Sequence, residues 1–281
     1  MASIADLLDL IFITLNATLQ TVVGLLSQSP EAFNSALYAF AQNLNVIFTS
    51  VGTALVVPFF LISLADPAHI ADIRRPESII AEFVRFGLCV TVVSRSSWLL
   101  EKITAIGTSL ITTGWNAATA VNGGIPALSA DNAVKDTLKE VDFGWLSFGI
   151  DQFFLALLCL ILVIAMGIAI LYISVIAYAR FFKIYMYIAI APIPLATFAC
   201  RGTSEVGKQF LKSFCGILLQ GLILVIAFLL FTMFFTNVEL DTSAGAVGII
   251  WKYCISVLGQ LIVLITIIKS SDQLVYKMLG I

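Results

Sequence analysis

The sequence predicts an all-α polytopic membrane protein, and three observations carry that prediction. Of its 281 residues 60% are hydrophobic and 11% charged, with a mean hydropathy of +1.05. A soluble domain of this length cannot hide that much apolar surface. Four apolar runs, Asn43 to Ala65, Phe148 to Ala179, Phe214 to Thr236 and Gly248 to Ile268, each reach the ~20 residues that cross roughly 30 Å of hydrocarbon. Finally, Lys and Arg collect in alternate loops, as they do in chains that weave through a bilayer.

Each element follows from its local pattern. Residues 1–42 read as amphipathic N-terminal helices: Ile4, Leu7, Leu8, Ile11, Leu15, Leu19, Val22 and Leu26 share one face, opposite Asp6, Asp9, Asn16 and Gln20. Asp6 and Asp9 replace the basic start of a secretory signal, so the mature chain is expected to begin near Met1. Ser29-Pro30 reads as a helix cap followed by a first-turn proline. From residue 43 to 281 the chain reads as one membrane domain of about five spans. Its second span, Ile79 to Thr113, is interrupted by Arg85, Arg95, Glu101 and Lys102.

Loops 66–79 and 199–213 and the short C-terminal tail hold Arg74, Arg75, Arg201, Lys208, Lys212, Lys269 and Lys277, and are assigned to the cytoplasm. Loop 114–146, with Asp131, Asp136, Glu140 and Asp142 against Lys135 and Lys139, and the acidic loop after Thr236 go outside. Five spans then leave the N-terminus outside and the C-terminus inside.

The segment after Ala179 starts at Arg180 and Lys183 and ends at Arg201, with Pro192 and Pro194 between. From Ile184 to Ala199 it is too short to cross as a helix, and both ends favour the cytoplasmic side. The helix is expected to stop near Ala191, with Ile193 extended between the prolines. We read the segment as a re-entrant or cytoplasmic-face element packed inside an assembly, since irregular backbone at membrane depth needs protein or water around it.

Few residues suggest chemistry. His69 is the one histidine, in a loop without a second ligand at metal spacing. No catalytic or phosphate-cradling motif occurs. Cys89, Cys159, Cys200, Cys215 and Cys254 are scattered singly, which predicts buried hydrophobes rather than a metal or disulfide site. The net charge of -2 argues against a strongly basic nucleic-acid binder. We therefore expect no enzyme, cofactor or metal.

Thr91, Arg95, Lys102, Ser109 and Thr113 fall on one helical arc. Two cations facing lipid would cost roughly 5–7 kcal/mol. Either that face lines a wet path or subunit interface, or the crossing is brief and Ser94 onward is a surface helix whose cations snorkel. We favour the second reading. Gly216, Gln220 and Gly221, and Gly259 with Gln260, are candidates for close helix packing and interhelical hydrogen bonds. Asp151 reads as a span boundary.

Arg180-Phe181-Phe182-Lys183, leading through Tyr185 and Tyr187 to Pro192-Ile193-Pro194 and the basic loop from Arg201 to Lys212, together with the external N-terminus and polar external loop, resembles the TrbL-type polytopic inner-membrane subunit of type IV secretion and conjugation machines. The resemblance covers Asn43 to Ile268. It implies a non-enzymatic homo-oligomer in the bacterial cytoplasmic membrane, a ring and by family likeness a pentamer. It also implies pilus or channel subunits and secretion ATPases as partners, surrounding lipid, and transient contact of the external loop with DNA or protein cargo. The alternative is a stand-alone secondary transporter or channel, with Pro192-Ile193-Pro194 as a broken helix and Arg95 or Lys102 as an anion contact. That reading requires a second discontinuous helix.

Overall fold

The computed structural model describes residues 4–65, 76–121, 150–235 and 246–280, and among them the secondary structure is entirely helical. In chain order the elements are α1 (Ile4–Leu26), α2 (Pro30–Phe33), α3 (Ser35–Ala65), α4 (Pro76–Ser94), α5 (Ser96–Val121), α6 (Ile150–Ile190), α7 (Pro192–Ala196) with a 3₁₀ turn at Thr197–Ala199, α8 (Ser204–Phe235) and α9 (Ala246–Leu279). Four helices are long and apolar enough to cross a membrane: Ser35–Ala65, Leu157–Ile190, Ser204–Met233 and Trp251–Leu279. A fifth crossing is available if Ile80–Ser94 and Ser96–Ala117, which meet at 73°, count as one broken span. The protein is an all-α polytopic membrane protein.

Local chemistry sets the boundaries. Ser29 caps α2, its Oγ accepting from the Ala32 amide at 3.2 Å, and Pro30 costs nothing at the first helical position because that amide has no intrahelical partner. Asn34 then caps α3, its Oδ1 accepting from the Leu37 amide at 3.0 Å. The first crossing helix therefore starts at Ser35, and it runs on through Pro58.

One expectation is corrected, at Ile193. The run Ile79 to Thr113 forms two helices parted at Arg95, next to the Ser94 boundary of the favoured reading. Ser94, Ser96 and Ser97 surround the bend, and the Ser96 hydroxyl is held there by Asn45 of α3. The helix entering at Ile150 continues for 41 residues to Ile190 and stops where the prolines predict, next to Ala191. No Gly or Pro interrupts residues 168–190, and the result is about 61 Å of helix, twice the hydrocarbon thickness. Lastly, Ile193 is helical rather than extended. Pro192 and Pro194 occupy the first turn of α7, where missing amides are harmless, and Ala191 stays in the right-handed helical region at φ -49° and ψ -41°.

The described residues divide into two compact units. The first takes those within Met1–Leu26, Thr112–Ala177 and Leu222–Gln273. Its core is built from helical stripes: Leu15, Leu19, Val22 and Leu26 on α1; Leu162, Met166, Ala169 and Ile173 on α6; Val257, Leu261, Leu264 and Ile268 on α9. Each stripe repeats at three- and four-residue steps, so one face is buried. From Phe12 to Leu26 the amphipathic N-terminal helix thus turns its apolar face to this core. The opposite side of α6 leaves Leu157, Ile161, Ile164, Ile168, Leu171 and Val175 exposed, the surface a helix offers to lipid or to another apolar chain.

The second unit takes the described residues within Ser27–Ile111, Tyr178–Gly221 and Leu274–Ile281. At its centre α7 and the 3₁₀ turn pack against α3 and α4. Helix α2 docks on α6: Phe33 stacks on Phe181 with ring centroids 4.1 Å apart, and the Tyr185 hydroxyl donates to the Pro30 carbonyl at 2.7 Å.

Candidate functional site

The break at Pro192 defines the site, and backbone accounting explains its surroundings. In an uninterrupted helix the residue-192 amide would donate to the Ile188 carbonyl; proline has none to give. Asn45 of α3 supplies the missing donor, its Nδ2 lying 2.6 Å from the Ile188 oxygen. The same amide group meets Ser96 at the second break: Nδ2 donates to Ser96 Oγ at 3.2 Å, and that hydroxyl lies 3.3 Å from Asn45 Oδ1. Asn45 and Ser96 are both buried. One side chain therefore braces two helix interruptions, at Arg95 and at Pro192.

Close packing completes the junction. Gly52, two turns along α3 from Asn45, lies against the proline itself: a Cβ there would stand 2.7 Å from the Pro192 carbonyl oxygen. Cys89 of α4 lies 3.6 Å from the Leu195 and Ala196 carbonyl oxygens at the other end of the turn. Beyond the turn, Arg201 Nη2 pairs with Glu82 Oε1 at 2.7 Å, and Glu82 is buried. Tyr187 stacks on Phe210 at 5.1 Å. The arrangement holds an irregular backbone segment in place; among the described residues it sets no base beside a nucleophile.

The residues singled out from sequence fall in several places. Pro192 and Pro194 are at the junction. Arg180 is 1% exposed within α6, its Nε donating to the Ile217 carbonyl at 3.2 Å. Gly221 makes room for it, since a Cβ there would come within 2.6 Å of the Arg180 Cζ. Lys183 is half-buried one turn further on. Gly216 faces Val275 and Leu279 of α9, either of which a Cβ would approach to 3.1 Å, and Gln220 is buried. Gly259 differs, with nothing within 4 Å of a Cβ, although its neighbour Gln260 is buried.

The arc Thr91, Arg95, Lys102, Ser109 and Thr113 is divided by the 73° bend, Thr91 on α4 and the last three on α5. All five are exposed. Thr91 and Arg95 line a hollow of about 300 Å³ with Val92, Trp98 and Leu99. Lys102 Nζ lies 6.0 Å from the Trp98 ring centroid, at the outer limit of a cation–π contact. His69 and most of the external loop lie outside the described residues, as does the Asp151 side chain. Among the described residues no cluster of His, Cys, Asp or Glu could hold a metal ion.

Sequence reasoning missed Asn45, Ser96, Gly52 and Glu82. The signal for Asn45 was present: an amide inside an apolar span has to find a partner there. Its partner could not be guessed without knowing that two helix breaks converge.

These features define a multi-pass membrane protein whose broken helices are braced from within by polar side chains. A family model for the TrbL/VirB6 plasmid conjugal transfer like protein matches residues 15–192, a stretch that includes α3, both breaks and Asn45. The chain belongs to this family, whose members are structural components of bacterial transfer systems. No curated protein and no solved structure matches it.

Proposed function

We propose that the protein is an oligomeric platform or channel subunit of a conjugation or type IV secretion machine in the bacterial cytoplasmic membrane, working with pilus or channel subunits and secretion ATPases. The family match over residues 15–192 carries this reading. The braced junction supports it, because a segment held by Asn45, Gly52 and Cys89 suits a rigid scaffold. Loop charges support an external N-terminus and internal C-terminus. If α4 and α5 formed a re-entrant pair, the chain would cross only four times. Arg201, Lys208 and Lys212 would then lie on the opposite side from Arg74 and Arg75. Counting the bent pair as one broken span puts every basic loop inside.

Native mass of the complex extracted in mild detergent, with identification of accompanying proteins, tests the role. A discrete multimer bringing secretion ATPases or pilus components supports it; a monomer or dimer without them overturns it. Reporter fusions in loops 66–79 and 114–146 test orientation, and both loops on one side would refute the five-span arrangement.

One observation favours a second reading, a stand-alone transporter: the discontinuous helices it requires are two, and they meet at Asn45. Against it, Asn45 already donates to Ile188 and Ser96. Specific solute uptake by the purified, reconstituted protein would establish this alternative.

A further inference from the structure

Beside the junction, α4, the start of α5, the 3₁₀ turn and the start of α8 enclose an open groove of about 480 Å³. Its apolar wall is Val84, Leu88, Val92, Leu99, Phe198 and Leu211; its polar lining includes Arg85, Ser204 and Lys208. The Arg201–Glu82 pair sets the start of α8 beside the start of α4. From that end Arg85, Ser204 and Lys208 come first, and Val92, Leu99 and Leu211 follow deeper along the helices. The groove is therefore graded, cationic at one end and apolar at the other.

The cationic end has unused capacity. Arg85 Nη1 is buried without a hydrogen-bond partner, 3.9 Å from a Glu82 oxygen that Arg201 already holds at 2.7 Å. Lys208 bonds Glu205 at 2.7 Å, but both are exposed, and such a surface pair is worth too little to resist a phosphate. A part-exposed guanidinium with one shielded, unbonded nitrogen, beside an ammonium, suits an anion with several oxygens.

We propose that this groove binds an anionic phospholipid, its phosphate on Arg85 and Lys208 and one acyl chain along Leu88, Val92 and Leu211. Basic recesses between spanning helices on the cytoplasmic side are where anionic headgroups dock. The flanking loops 66–79 and 199–213 are the ones assigned to that side. The inference shares only this orientation with the proposed function and stands if the transfer role fails.

The test is binding of phosphatidylglycerol to the detergent-purified full chain, followed by native mass spectrometry and by the unfolding midpoint. Phosphatidylglycerol is expected to be retained and to raise the midpoint, with phosphatidylcholine doing neither. The double variant Arg85→Gln/Lys208→Gln should bind phosphatidylglycerol roughly thirtyfold more weakly, whereas Lys269→Gln, away from the groove lining, should bind normally. Leu88→Trp, which fills the apolar end and keeps both cations, should also lose the lipid, and it keeps the test open if the double variant does not fold. Equal stabilisation by inorganic phosphate would show a free-anion site and overturn the proposal, as would undiminished lipid binding by both groove variants.

Discussion

The tightly packed glycines gather in one of the two units, although Gly87 in that unit has nothing within 4 Å of a Cβ. In the unit holding the junction, a Cβ on Gly52, Gly107, Gly207, Gly216 or Gly221 would come within 3.1 Å of a neighbour. In the unit built on α1 and the buried stripes, Gly24, Gly167 and Gly259 have nothing within 4 Å. One region gains its cohesion from side chains meshing along regular helices, which tolerate a change of shape on the outside. The other packs neighbouring side chains, and at Gly52 the Pro192 backbone, directly onto glycines, and there the missing side chain is the structural element.

The largest effect that this contrast predicts is at Gly52. A leucine would drive its side chain into the Pro192 carbonyl, and backbone cannot yield as a rotamer can. Overpacking costs about 1–3 kcal/mol, and more where the neighbour is fixed. Gly52→Leu should abolish monodisperse folded protein on size-exclusion chromatography, whereas Gly167→Leu should elute unchanged. Similar behaviour by the two variants would dissolve the contrast.

Asn45→Leu comes next. It strips the Ile188 carbonyl of its donor inside a buried site, a loss of about 1–3 kcal/mol, read as a lower thermal midpoint. The mechanism makes a sharper demand: Pro192→Ala restores an amide at the position that should donate to Ile188. The double variant Asn45→Leu/Pro192→Ala should therefore recover part of the loss, whereas two unconnected defects would simply add.

How far the sequence could be read follows the same division. The buried stripes on α1, α6 and α9 are apolar residues at helical spacing, so their helices, the membrane class and the amphipathic N-terminal element were legible from the pattern. Pro192 and Pro194 marked the break, yet Ile193 was misread because a proline that ends one helix can also open the next. The charges from Arg95 onward marked a change of character at Ser94, but with neither Gly nor Pro there the 73° bend itself left no signal. Glu82 was passed over because its partner, Arg201, lies in a loop more than a hundred residues away, and no periodicity reports a contact made by tertiary folding.

A smaller effect is expected at that ion pair. Arg201 is 47% exposed, so solvent screens its attraction for Glu82. Arg201→Gln should lower the midpoint by the equivalent of about 1 kcal/mol, and high salt should mute the difference between variant and parent. A much larger, salt-insensitive loss would mean that Arg201 braces the turn in some further way.

The smallest effect on folding, and the most telling for function, belongs to Gly259. With no neighbour within 4 Å, Gly259→Leu should shift stability by no more than about 0.5 kcal/mol. A platform made of several copies has to bury apolar helix faces between them, and α9 exposes Ile255, Ile262 and Val263 close to this glycine. If that face meets a second copy, the variant should fold normally yet give a smaller native complex and reduced transfer. Normal folding with an unchanged complex would assign the face to lipid and move the subunit contact elsewhere on the chain.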